Sequence, residues 1–247
     1  MTPTIAVLGL GAMGLPMARH LAQSFPIRSY DIDAARCSAA ADFSTACTSA
    51  KEAATGADIV LLAVRNRDQL VEVLWGSDGV VPVLDPGAVI LLTSTVGIDV
   101  VRDVAGQLAE QELLLVDAPV SGGPVRAGLG DLLVTVGADD TAYVKALPVL
   151  EAMASTLKRV GPRPGDGQCM KTVNQLLAGS TSPQPPRPWH WRGPWASTRL
   201  LPWRPLARGL PPHSCWVIAA RACCRRMTRV AQRSAVAWTS SSRTWAS

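Results

Sequence analysis

Short, wholly apolar runs punctuate the first part of the chain at 5–8, 59–64, 89–92 and 113–116. Runs of this length without polar alternation predict strands buried on both faces of a parallel sheet. The segments between them carry apolar residues at helical spacing and predict helices over 12–24, 68–75 and 96–110. Pro26 prevents the first helix from continuing. Ser49 and Glu52 stand at capping-box spacing and open another short helix. Further strands are expected at 27–30, 132–136 and 156–160, with a helix over 141–154, and a new helix begins at 165. Strand and helix alternate throughout, so the expected fold class is α/β, a Rossmann-type doubly wound sheet.

The first apolar run leads directly into Gly9, Leu10, Gly11, Ala12, Met13 and Gly14. The three glycines follow the G-x-G-x-x-G pattern of a dinucleotide site. The first allows a tight turn, the second a close approach of backbone to pyrophosphate, and the third the packing of helix on strand. Asp31 ends the second strand about twenty positions later, where an acid binds the adenosine ribose hydroxyls and repels a 2′-phosphate. That favours NAD over NADP. Asp33 is the neighbouring alternative, and either residue also suits a helix N-cap.

Ala63 and Val64 at one strand exit, and Thr95 at another, lie where ligands of α/β sheets bind. Ser121, Gly122 and Gly123 offer a hydroxyl and unobstructed N–H groups that suit a carboxylate, or form an ordinary turn. Lys171 and Asn174 are three apart on a helix and share a face. Such a pair suits proton transfer, although solvated surface lysines are commoner.

Composition alters this picture in one respect. The chain of 247 residues is 48% hydrophobic and 17% charged, as expected of a globular protein, and its formal net charge is +5. That charge is unevenly spread. Residues 180–247 hold 11 of the 24 Lys and Arg, none of the 19 Asp and Glu, and seven of the eight tryptophans. Residues 1–179 therefore set 13 basic against 19 acidic side chains, a net −6. The six cysteines show no metal-ligand spacing with histidine, and no metal is expected. With neither a basic leader nor a membrane-length apolar run, the expected location is cytoplasmic, without a membrane partner.

Taken together, GLGAMGLPMA (9–18), Asp31, TSTV (93–96), DAPVSGGP (117–124) and GDGQCMKTVNQ (165–175) resemble the β-hydroxyacid dehydrogenase family. That family includes 3-hydroxyisobutyrate and tartronate semialdehyde dehydrogenases. The resemblance covers about residues 4–179, and Gln175 makes it most similar to the L-threonate dehydrogenase branch. It implies that Gly9–Gly14 and Asp31 hold NAD, with Ala63, Val64 and Thr95 near its nicotinamide end. It also implies that Ser121, Gly122 and Gly123 bind the acid group of a small hydroxy acid, that Lys171 is the catalytic acid/base, and that Asn174 orients the substrate. The expected domains are a Rossmann domain over 1–163, the start of an interdomain helix over 164–179, and a tail over 180–247.

In the family that helix continues into an all-helical second domain, which usually makes the dimer. Here prolines at 183, 185, 186, 188 and 194 forbid a continuous helix. A one-base shift from codon 179 instead permits VHIAAAAEALALAGALGLD, an Ala/Leu-rich helical text, and over 237–247 it permits VDIFVKDLGI, which resembles the family's later Lys-Asp segment. Tryptophan has one codon, so four letters are fixed: Trp189 with His190 gives Ala, Trp195 with Ala196 Gly, Trp238 with Thr239 Asp, and Trp245 with Ala246 Gly. All four fit the expected text. The tail is therefore expected to be a frame-shifted, disordered stretch, and a homo-oligomer only where the second domain is intact. An Arg- and Trp-rich tail would also suit a nucleic acid. The shifted frame explains the composition without one, and no nucleic-acid partner is expected.

Overall fold

The computed structural model describes residues 2–181, with side chains through Ala178. By its contacts the chain divides into two units, Met1–Thr172 and Val173–Ser247. The expectations for residues 182–247 lie outside the described residues.

Strand β1 (Ile5–Leu8) is buried along its whole length. It pairs in parallel with β2 (Ile27–Tyr30) on one side and with β4 (Ile59–Leu62) on the other. The two-residue β3 (Thr45–Ala46) extends the β2 side. Beyond β4 follow β5 (Val89–Leu92) and β6 (Leu114–Asp117), again parallel. The register sets Tyr30, Leu8, Leu62, Leu92 and Asp117 in one row across the sheet. The residues immediately after that row form its C-terminal edge, and strand order reverses between β1 and β4. Ligands of doubly wound sheets bind at such a crevice.

The apolar runs are continuous because each face of the sheet has its own core. Ile5, Val7, Ile59, Leu61, Val89, Leu91 and Val116 pack with α1 (Gly14–Leu21) and α7 (Asp140–Met153). Ala6, Leu8, Val60, Leu62, Ile90, Leu92 and Leu115 pack on the opposite face. Their partners there are α3 (Ala50–Ala54), α4 (Arg67–Trp75) and α5 (Ile98–Ala109). Period-two alternation sends successive residues to opposite sides, and both sides are dry.

The far end of the sheet departs from a uniformly parallel arrangement. After β6 the chain forms β7 (Val120–Ser121), a six-residue helix α6 (Gly123–Gly128) and then β8 (Leu132–Gly137). Strand β8 runs antiparallel to both β6 and β7. A parallel return needs a longer crossover than this connection provides. The 14-residue α7 does provide one, and β9 (Ala154–Gly161) pairs in parallel with β8. Helix α8 (Asp166–Thr181) follows.

Several boundaries also differ from expectation. Helix α1 starts at Gly14 rather than at residue 12, and β4 ends at Leu62, which leaves Ala63 and Val64 in the loop beyond. Helix α2 (Ala34–Ala40) and the short β3, β7 and α6 carry too little periodicity to be read from sequence. The capping box is half formed. Ser49 Oγ accepts from Glu52 N–H at 3.0 Å, but the Glu52 carboxylate accepts from Thr48 N–H and hydroxyl instead of from Ser49.

Glycines on this scaffold give opposite expectations for the same substitution. A Cβ at Gly14 would overlap the Gly9 carbonyl oxygen, whereas one at Gly106, on the exposed side of α5, meets nothing within 4 Å. Gly14→Ala is expected to lower unfolding free energy by about 2 kcal/mol or more. Gly106→Ala should raise it by about 0.4–1 kcal/mol. Urea denaturation of the two variants against the parent chain checks both signs.

Candidate functional site

The glycine loop joins β1 to α1 on the C-terminal edge. Gly9 has φ +95°, a conformation open to glycine, and a Cβ there would strike the Ala63 carbonyl. Gly14 is buried where α1 crosses the strand, as its place in the motif requires. A Cβ on Gly11 would meet only the Arg36 guanidinium, at 3.8 Å, so this face of the loop is open. Ala12 is exposed, Met13 half-buried, and Leu10 buried. Helix α1 has no side-chain cap at Met13 and no acid in its first turn. Its leading N–H groups and positive dipole end are therefore suited to an anion. This open glycine cradle beneath an uncapped helix fits the pyrophosphate of a dinucleotide.

Asp31 lies at the end of β2, with only 4% of its side chain exposed. Its Oδ2 accepts from Leu10 N–H at 2.6 Å and its Oδ1 from Asp33 N–H at 2.9 Å. The carboxylate thus ties the glycine loop to the second strand, a task that motif spacing does not reveal. Asp33 caps α2, accepting from Ala35 N–H at 3.0 Å. Arg36, overlooked in the sequence, stands 3.4 Å from both carboxylates and reaches over Gly11. Its position five residues past Asp31, on the first turns of α2, was the available signal.

Ala63 and Val64 are half-buried beyond β4, and Thr95 is exposed beyond β5. Ser94 Oγ donates to the Val64 carbonyl at 2.7 Å and Thr93 Oγ1 to the Leu62 carbonyl at 2.8 Å, so hydroxyls pin one strand exit to the next. Ser121 belongs to β7, and Gly122 and Gly123 lead into α6 with φ +142° and +76°. The expected Ser-Gly-Gly turn is therefore a strand-to-helix junction.

Lys171, one turn into α8, donates from Nζ to the Val120 carbonyl at 2.8 Å and to Ser121 Oγ at 2.7 Å. Partial burial pulls its pKa below the ordinary lysine value of 10.5. Lysine and serine, fifty residues apart in sequence, are thereby brought into contact. Asn174 lies in the second unit, exposed on α8.

Beneath Lys171 lies a fully buried polar cluster that sequence reasoning passed over. Asp117 Oδ2 accepts from the N–H groups of Gly165 and Gln168, each at 2.9 Å, and Oδ1 accepts from Gln168 Nε2 at 2.7 Å. Gln168 Nε2 also donates to the Ser94 carbonyl at 3.0 Å, while its Oε1 accepts from Val96 N–H at 3.0 Å and Gly97 N–H at 3.2 Å. Gly165 turns with φ +95°. A Cβ on Gly167 would fall 2.7 Å from the Asp117 carbonyl oxygen and 2.8 Å from that of Thr135. Helix α8 thus meets the sheet at the closest approach glycine permits. Desolvation raises the Asp117 pKa from 3.8 to about 6, against the lowering effect of its hydrogen bonds.

Among the described residues no group of three or more His, Cys, Asp or Glu could hold a metal ion, and no helix is long and apolar enough to cross a membrane.

This sheet and loop define a dinucleotide-binding domain. Residues 4–161 match the family described as the NAD binding domain of 6-phosphogluconate dehydrogenase, and the chain belongs to that family. It is 35% identical over 179 residues to L-threonate dehydrogenase of Escherichia coli strain K12, covering 71% of this chain and 59% of that protein. It is 36% identical over 177 residues to NAD-dependent L-serine dehydrogenase of Pseudomonas aeruginosa PAO1, covering 70% and 59% respectively. The chain thus spans less than two thirds of the length of these curated relatives. Among solved structures it is similar to 3-hydroxyisobutyrate dehydrogenase of Mycobacterium tuberculosis with L-serine. The TM-score is 0.67 at 32% identity, over 72% of this chain and 60% of that one.

The raised Asp117 pKa has a definite sign. A carboxyl that binds its proton more tightly when folded contributes stability below pH 3.8 that is lost as pH rises through about 6. A carboxyl 13C titration of the folded chain should place the Asp117 midpoint near pH 6. A midpoint at 3.8 would show that the donors cancel the effect of burial, and one below it that they outweigh burial.

Proposed function

We propose that this chain derives from an oxidoreductase of small hydroxy acids, with L-threonate or 3-hydroxyisobutyrate as the substrate type, and that Lys171 is its acid/base. The observation that carries this reading is the seat of Lys171. Its ammonium lies against Ser121 Oγ at the C-terminal edge of a nucleotide-binding sheet, with its pKa depressed by burial. An ordinary lysine is too basic to act as a base near neutrality, and burial corrects this in the required direction. In oxidation the neutral amine takes the substrate hydroxyl proton, and in reduction the ammonium returns it. Ser121 with the N–H groups of Gly122 and Gly123 receives the acid group, and Asn174 orients the hydroxyl-bearing carbon. A bound nicotinamide dinucleotide supplies the hydride acceptor. Gly9, Leu10, Gly11, Ala12, Met13 and Gly14 hold its pyrophosphate, and Ala63, Val64 and Thr95 border its nicotinamide end.

NAD is preferred to NADP in this reading. The buried Asp31 carboxylate disfavours a 2′-phosphate, and Arg36 beside it is already shared between Asp31 and Asp33. The working enzyme is placed in the cytoplasm and becomes a homo-oligomer where its second domain is intact.

A second reading is favoured by one observation. Alignment to the relatives extends over about 180 of the 247 residues, and the composition changes abruptly near residue 180. As it stands, the chain would then be a catalytically impaired NAD-binding module left by a one-base shift near codon 179. Sequencing the gene across codons 175–185, with an intact mass of the native product, separates the two readings. A restored frame and a mass above 26.1 kDa give the complete dehydrogenase, while the present frame and 26.1 kDa give the module.

In a frame-restored chain, Lys171→Ala should lower turnover about 10²-fold or more while NAD affinity changes by no more than a few-fold. The parent's oxidation rate should rise with pH through a midpoint below 10.5, and the variant should lack that limb. Near-normal turnover in the variant would remove the role assigned to Lys171.

A further inference from the structure

Two strand ends and one helix start converge on the Gln168 carboxamide. Its oxygen accepts from Val96 and Gly97 N–H, and its nitrogen donates to Ser94, so both flanks of Thr95 are bound by one side chain. The same nitrogen donates to Asp117, and the Gln168 backbone N–H donates to the other Asp117 oxygen. Three residues later on the helix, Lys171 reaches Val120 and Ser121, the continuation of the Asp117 strand. Gln168 is completely buried, with every polar atom of its side chain engaged. A hydrocarbon of equal volume would fill the space without linking these segments. The hydrogen bonds, rather than the packing, join the Thr95 segment to the helix that bears Lys171.

We propose that Gln168, anchored by Asp117, is a positioning residue that holds Lys171 and the Thr95 segment in fixed register across the end of the sheet. The inference deepens the reading of Lys171 as the acid/base and rests on it. Registering the proton acceptor and the cofactor-facing segment through one rigid group would keep proton and hydride transfer aligned, where displacements of about 1 Å are costly. A glutamine suits the task because its amide donates and accepts at once, without bringing a second charge beside the Asp117 carboxylate.

The test uses the full 247-residue chain labelled with [ε-13C]lysine, and the Lys171 signal is assigned by its loss in Lys171→Arg. Gln168→Glu keeps an acceptor for Val96 and Gly97 but loses the amide donor, and Gln168→Met removes both. Lys171 is held below the ordinary lysine range by burial, so releasing the first turn of α8 should move its titration upward by about half a unit or more. Far-UV circular dichroism shows whether each variant remains folded. An unmoved Lys171 titration in a folded variant would overturn the proposal, and so would loss of the fold in both variants, because Gln168 would then serve the whole sheet. Retained turnover in Lys171→Ala would remove the acid/base reading while leaving this titration result standing.

Discussion

The structure depends most on a carboxylate kept in the dry interior at the end of β6. Burying such a charge is expensive unless donors surround it. At Asp117 three such bonds come from Gly165, just before α8, and from Gln168 in its first turn, two from backbone and one from the Gln168 amide. The cost and its offset bind the two elements to each other. Helix α8 can begin only where its leading N–H groups meet that carboxylate, and losing either partner would leave the other buried and unsatisfied. Gly165 and Gly167 make the approach sterically possible. The position of Lys171, one turn further, follows from that docking.

The same device appears at the opposite side of the site. Asp31 also ends a parallel strand, is also buried, and also spends its oxygens on backbone N–H groups, here of Leu10 in the glycine loop and of Asp33. One strand-end carboxylate therefore fixes the glycine loop, and another fixes the helix that bears Lys171. Between them, Thr93 and Ser94 hydroxyls pin the exit of β5 to that of β4. The rigidity of this edge comes from side chains just past the strands, which return hydrogen bonds to neighbouring backbone. Such an edge can present loops to a ligand without leaving its own polar groups unpaired.

How far the sequence foretold this follows from which forces act locally. Strands 5–8 and 89–92 were legible to the residue, because burial on both faces demands unbroken apolar runs. Gly9 and Gly14 were legible because backbone geometry restricts the choice of residue there. The reversal of β8 was not, since it depends on the length of a connection that contains a six-residue helix without periodicity. Nor was the part played by Gln168. A glutamine in the first turn of a helix resembles any surface residue, and its meaning lies in partners 51 to 74 positions away. Asp31 was singled out for a ligand, and its bond to the glycine loop was hidden for the same reason.

These contacts also bear on what a change of tail would do. Every bond that places Lys171, from Ser94, Asp117, Val120 and Ser121 through Gly165 and Gln168, lies within Met1–Thr172. The glycine cradle and Asp31 lie there as well. An alteration confined to residues beyond 179 leaves all of them in place. On the proposed reading, weak turnover in such a chain would not come from displacement of Lys171, whose side-chain partners are unchanged. The hydrogen bonds that seat Lys171 would persist in such a chain, because both of its partners lie in the first unit.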